Sequence, residues 1–201
     1  MFLLFETIKV VNKKLQNVSF HNERMNRSRF ELFGLKNDLN LAELIEIPTD
    51  ISTDVYKCKV IYSDTIKDVE FRKYTSRKID LLRLVVNDEI DYSYKYLDRK
   101  VLDELVRKNC KADSEDILIV KNGRVTDTSY SNIALFDGRE WHTPKFPLLK
   151  GTKRAKLLYD NRIIEKDIMI YDLQNYEKII LINAMLEFDP REAKLLSEIL
   201  T

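Results

Sequence analysis

The dipeptide Asn122-Gly123 stands between "DILIVK" and "RVTDTS", two runs rich in apolar and β-branched residues. Asn-Gly supplies positive φ at both central positions of a two-residue turn, so it dictates an antiparallel hairpin here. A further apolar run, "NIALFD", and a second turn at Asp137-Gly138 follow before "EWHTP", so this part of the chain must build a sheet from neighbouring strands. Within that sheet lie Asp127, Thr128, Ser129, Tyr130 and Ser131 in a row. A carboxylate in a sheet core is costly unless something pairs with it, so Asp127 demands an explanation. Its local reading is an Asx-type turn after the hairpin strand.

The same pattern logic divides the rest of the chain. "LLFETIKVV" and "KLQNVSF" flank Asn12-Lys13-Lys14 and predict a hairpin. From His21 to Phe33 the period becomes helical, with Met25, Phe30, Leu32 and Phe33 on one side and Gly34 as the stop. "NLAELIE" predicts a short helix closed by Pro48. "DVYKCKVIYS" alternates, and "VEFRKY" and "IDLLRLVV" are expected to continue that first sheet. This gives a small N-terminal α/β subdomain over residues 1–87. A larger subdomain over 88–201 would hold a helix from about Leu97 to Asn109, the hairpins above and a helix from Lys153 to Tyr159. The strands "IIEKDIMI" and "KIILINAM", a turn of helix at "LQNYE" and a helical tail "REAKLLSEIL" complete it. The expected fold class is α+β with two subdomains.

Composition removes several functions. The 201 residues carry 34 basic and 33 acidic side chains, a net charge of +1, and no basic stripe, so no nucleic-acid partner is expected. Two cysteines (Cys58, Cys110) and two histidines (His21, His142) show no metal-ligand spacing. "MFLLFETIKV" lacks a basic leader, and no apolar run approaches the ~18 residues of a membrane span. The expectation is a cytoplasmic protein with reduced thiols and no membrane partner.

Four segments, in order, resemble the fold-type IV (class IV) aminotransferases. This family of pyridoxal-phosphate (PLP) enzymes includes D-amino-acid and branched-chain aminotransferases and aminodeoxychorismate lyase. "LFETIKVVNKKLQNVSFHNERMNRS" is similar to the family's first hairpin and its HxxRLxxS helix, and "YKYLDRKVLDEL" to its lysine segment. "RVTDTSYSNIALF…TPKFPLLKGTKRAKLL" resembles its longest signature, V-T-E-x-x-x-x-N-[IL]-F…TP…L-x-G-[IV]-x-R. "KIILINAM" resembles its late strand and phosphate-contact turn. The chain is shorter than typical members and begins almost directly at the "FET" strand.

The resemblance implies a truncated fold of the D-amino-acid-aminotransferase type, PLP as cofactor, a small-molecule amino-group substrate and a homodimer with its active site between the two domains. Lys95 matches the Schiff-base lysine, whose amine must be nucleophilic near neutral pH. Asp127 matches the acid that keeps the pyridine nitrogen protonated, where the family has glutamate. Asn132 belongs to the same signature. Arg24, Gly151, Thr152, Lys153, Asn183 and Ala184 match the phosphate side, with Gly151 opening a helix whose first N–H groups suit an anion. Lys153 replaces the family's usual Thr, Ser or Met. His21 is read as structural. Amino transfer and the lyase reaction, which yields 4-aminobenzoate and pyruvate, both remain open. "YKYLDR" resembles the lyase segment, whereas Glu6 stands where some lyases carry threonine. The Asp-for-Glu exchange and the short chain keep a third reading, a non-catalytic binding protein built on the PLP fold.

Overall fold

The computed structural model describes residues 2–201. They form two compact units: the chain up to Ser76 together with Tyr94–Asp98, and Arg77–Ser93 together with Arg99–Thr201.

In the first unit, β1 (Leu4–Val11) turns through Asn12 and Lys13, both at positive φ, into β2 (Lys14–Leu15). The second arm of this hairpin is only two residues long. Asn17 enters the left-handed region at φ 54°, and "VSF" becomes the start of α1 (Val18–Phe33) instead of a strand. Gly34, at φ 68°, closes α1: its N–H reaches Phe30 O while that of Leu35 reaches Arg29 O. The short α2 (Leu41–Leu44) starts where Asn40 accepts from Ala42 N, and it ends well before Pro48. Strands β3 (Tyr56–Tyr62) and β4 (Ile66–Lys73) complete an antiparallel sheet of order β2-β1-β3-β4. Alternation sends Leu4, Ile8, Val10, Cys58, Val60 and Tyr62 into one core with Met25 of α1. Residues 94–98 lie along the start of β1: Phe5 N donates to Lys95 O (3.0 Å), and Leu97 N to Leu3 O (2.8 Å).

The second unit begins with β5 (Leu81–Val86), followed by α3 (Lys100–Asn109), β6 (Glu115–Lys121), β7 (Arg124–Thr128), β8 (Asn132–Phe136) and β9 (Trp141–Pro144). Next come α4 (Thr152–Tyr159), β10 (Ile164–Lys166), a 3-10 turn at Ile170–Asn175 and β11 (Lys178–Ile182). The chain ends through β12 (Lys194–Leu195) and α5 (Leu196–Ile199). Two sheets result, β5-β6-β7 and β10-β9-β8-β11-β12. The Asn122-Gly123 hairpin forms as the sequence dictates, with φ of 51° and 73°. Leu82, Leu118, Val125, Ile133, Leu135, Ile179 and Ile199 share the core.

Three expectations are corrected. The boundary expected at 87/88 falls at 76/77, because β5 does not extend the first sheet. It pairs in parallel with β6 over Leu81–Val86, and Leu82 is buried in the second core. Residues 94–98 return to the first unit. Helix α3 starts at Lys100, three residues later than expected, since Tyr96 and Leu97 are held in extended pairing. The tail "REAKLLSEIL" is not one helix: Lys178 and Ile179 of β11 capture Leu195 and Lys194 as a strand partner and split it.

Candidate active site

The first unit places Glu6 of β1 opposite one face of α1. His21 and Arg24, three residues apart, lie on that face and both reach it. Glu6 has no exposed surface. Arg24 Nε donates to its Oε1 at 2.8 Å and Arg24 Nη2 donates to Oε2, while His21 Nδ1 lies 2.6 Å from Oε2. Burial alone would raise the Glu6 pKa, but the Arg24 charge and the His21 hydrogen bond overcome it and hold the group at about 2. An ionised carboxylate only accepts hydrogen bonds, so His21 carries its proton on Nδ1. Burial pushes the His21 pKa down, and this favours the neutral ring. Arg24 is buried, and its fork is on Glu6. The sequence reading gave Glu6 no place in the site and read His21 as structural. The available signal was an acid interrupting an apolar strand, with a histidine and an arginine at helical spacing on the next element.

Lys95 is fixed through its backbone by the Phe5 N–H, and its Nζ lies 4.6 Å from the centre of the Phe5 ring. Its charge also reaches His21, where it disfavours protonation. Tyr94 and Tyr96 flank it and pack edge to face.

In the second unit, Asp127 is buried on β7. Its Oδ1 accepts from Asn132 Nδ2 (2.7 Å) and its Oδ2 from Leu149 N (2.9 Å). Burial pushes its pKa up to about 6, only partly countered by these donors and by the charge of Arg154. Asn132, at the start of β8, also donates to Leu149 O at 2.8 Å. It therefore fastens the segment leading to α4 from two sides. A Cβ on Gly151 would lie 1.9 Å from Asn132 Oδ1, so glycine is required there by close approach.

Gly151 opens α4 without a side-chain cap, and Thr152 is buried beside it. The first-turn N–H groups thus have no intrahelical acceptor and suit an anion. Asn183, after β11, donates to Ser131 Oγ (2.9 Å) and accepts from Met185 N (2.9 Å) and Leu186 N, which pins the turn containing Ala184. Asp127, Asn132, Gly151 and Asn183 are thereby linked at one end of β8. Lys153 points elsewhere: its Nζ is 3.5 Å from the exposed Glu187. The missed contributors are Leu149, through its backbone N–H, and Arg154, which is buried and held by Pro144 O (2.9 Å) and Glu165 (2.6 Å). Among the described residues no group of His, Cys, Asp and Glu could hold a metal, and no helix is long and apolar enough to cross a membrane.

Residues 60–190 match the sequence profile of the family described as Amino-transferase class IV. An uncharacterized protein of Haemophilus influenzae is 36% identical over 187 residues, covering 92% of this chain and 98% of that one. A crystal structure from Haemophilus somnus 129pt, of a provisionally assigned 4-amino-4-deoxychorismate lyase, superposes with a TM-score of 0.86 at 34% identity, covering 94% of this chain and 98% of that one. The PLP-bound form of a hypothetical aminotransferase from Mycobacterium tuberculosis gives 0.74 at 18% identity, over 92% and 78% of the two chains, a likeness of fold. The two Haemophilus chains are as short as this one, whereas the mycobacterial chain is longer. The chain belongs to the class IV aminotransferase family and has its fold-type IV architecture in a short form.

Proposed function

We propose that the protein is a PLP-dependent enzyme that removes a proton from the amino-bearing carbon of a small substrate, with the aminodeoxychorismate lyase reaction as the first reading. The observation that carries it is the junction of Asp127, Asn132, Gly151 and Asn183 beside the uncapped, buried start of α4. That arrangement fits a phosphorylated, ring-containing cofactor. When bound, PLP supplies an electron sink for the carbon next to the substrate nitrogen.

In this reading the N–H groups of α4's first turn and the Thr152 hydroxyl bind the phosphate, and Asn183 and Ala184 shape the turn against it. Arg24, held by Glu6, matches the arginine that the family uses for the phosphate. Asp127 stands for the family glutamate at the ring nitrogen. A carboxylate has about four acceptor sites, so its two bonds to Asn132 and Leu149 leave it capacity for a third donor. Asn132 orients it. Lys95 supplies the amine that carries the cofactor and serves as the base at the substrate carbon. In the lyase reaction, loss of that proton is followed by departure of pyruvate, leaving 4-aminobenzoate.

The similarity to the Haemophilus somnus protein supports the lyase reading. Glu6, standing where some lyases have threonine and buried against Arg24, supports amino transfer as the second reading. In that reading Lys95 would hold the proton taken from the substrate carbon and hand it back across the substrate nitrogen; water would then free the keto acid, and the amino group would stay behind on the cofactor for an acceptor keto acid. The test has two parts. Protein supplied with PLP should absorb in the near-visible, and Lys95→Ala should abolish that band. The loaded enzyme is then assayed for 4-aminobenzoate from aminodeoxychorismate and for keto acids from D- and L-amino acids. Release of 4-aminobenzoate supports the first reading, and keto acid alone the second. A wild-type protein that stays colourless with PLP overturns both.

A further inference from the structure

The second unit holds a cavity of about 420 Å³ that does not include Asp127. Residues 90–93 form one side, the turn end of the β6-β7 hairpin a second, and residues 146–148 a third. Thr126 of β7 faces the cavity, and neighbouring strand residues point to opposite faces, so the Asp127 carboxylate is turned away from it. Leu148 belongs to the wall, and the next residue, Leu149, gives its N–H to Asp127. The cavity therefore backs onto the Asp127 junction as a separate space.

Its charges do not balance. Lys121 is half-buried, and its Nζ donates to Ile90 O at 2.6 Å, a neutral acceptor. Two ammonium protons are left over, and among the described residues no carboxylate is in ion-pair contact with them. Asp91, the acid of the cavity, is engaged by Ser93, whose N and Oγ both donate to Oδ1 (3.0 and 2.6 Å). Arg124 is held at the rim by Asp167, its Nε donating to Oδ1 at 2.9 Å. Lys121 and Arg124 against Asp91 leave a surplus of one positive charge on the walls.

The remaining walls are apolar. Ile90, Pro147 and Leu148 offer hydrocarbon, and the Thr126 hydroxyl is spent on Ile119 O (2.8 Å). Phe146 is half exposed, with Arg124 Cζ 5.2 Å and Lys145 Nζ 5.6 Å from its ring centre. A volume near the lower end of small-molecule sites, about 300–1,000 Å³, gives room for one ring and its substituents. One surplus charge with a flat apolar surround suits a ring that carries a single anionic group.

We propose that this cavity is a second ligand site, for a small aromatic carboxylate. Lys121 takes the carboxylate, Arg124 adds its charge beside it, and the ring lies against Phe146 and Pro147. The class includes the aromatic acid that the lyase reading releases, yet the site stands without that reading because no group in it touches the cofactor junction.

The experiment is an amide NMR titration with benzoate, and with benzamide as its neutral counterpart, on wild type, Lys121→Gln and Phe146→Ala. Glutamine removes the charge and keeps a donor for Ile90 O. Benzoate should shift the amides of residues 90–93, 121–126 and 146–148, and benzamide should bind roughly tenfold more weakly. Lys121→Gln should weaken benzoate by roughly tenfold and leave benzamide within about twofold. Phe146 is half in water, so Phe146→Ala should keep the fold and weaken both ligands by about threefold. Saturating PLP should leave benzoate affinity unchanged. Equal benzoate affinity in wild type and Lys121→Gln, shifts confined to other residues, or displacement of benzoate by PLP would each overturn the site. A protein that binds benzoate here but stays colourless with PLP would overturn the enzyme reading alone.

Discussion

The two units each bury a carboxylate in a strand and treat it in opposite ways. Glu6 is met by a guanidinium and an imidazole and is held at about 2. Asp127 is met by a side-chain amide and a backbone N–H and is pushed up to about 6. Both are out of water, so desolvation opposes ionisation in each. What differs is the partner: a full opposite charge in contact outweighs desolvation, whereas two neutral dipoles do not. The first arrangement fixes a charge permanently. The second leaves a group able to take up or give up a proton in the range where an approaching cation, such as a protonated ring nitrogen, would pull it into the ionised form.

The largest effect expected from breaking this contrast is at Arg24. Arg24→Met leaves Glu6 buried with only His21 and should cost about 3–5 kcal/mol of stability in urea unfolding. Adding Glu6→Gln should recover a large part of that loss, and a double variant as unstable as Arg24→Met would show that the arginine acts by packing alone. Asp127→Asn should cost less, about 1–3 kcal/mol. It removes a charge that burial disfavours, yet its new NH₂ group must face a donor, either Asn132 Nδ2 or Leu149 N. A stabilised Asp127→Asn protein would mean that the charge, not the acceptor geometry, dominates there.

The smallest effect is in the pH dependence, where the two acids have opposite signs. Glu6 has a folded pKa below its ordinary 4.5, so its stabilisation is present above about 4.5 and is lost as pH falls toward about 2. Asp127 has a folded pKa above its ordinary 3.8, so its contribution favours folding at low pH and declines as pH rises from about 4 through about 6. Urea midpoints measured from pH 3 to 8 should therefore lose part of their acid limb in Glu6→Gln. In Asp127→Asn the decline toward neutrality should flatten. Parallel curves for wild type and both variants would contradict the assignment of these shifts.

Much of this was legible in the sequence where short-range rules apply. Asn122-Gly123 gave its hairpin, Gly34 its helix stop, and the V-T-D…N signature brought Asp127 to Asn132. Contacts between distant segments were not legible. "IDLLRLVV" has the same apolar character whether it extends the first sheet or pairs with β6, and only the burial of Leu82 in the second core decides. "REAKLL" has helical spacing, but β11 offers it an open edge, and pairing overrides propensity. Glu6 escaped notice as a site residue because its partners lie on the following helix. Alternation put it on the core face, but no local rule says that a core acid will find an arginine there.

The return of Tyr94–Asp98 to β1 has a consequence for how the chain is made. A nascent or proteolytic fragment ending at Ser76 would contain β1 to β4 but would lack the segment that accepts the Phe5 N–H and donates to Leu3 O. That stretch of β1 would be an open edge, ready to pair with another copy. That part of β1 stays uncovered until residue 98 has been made, so Lys95 arrives together with the segment that covers it.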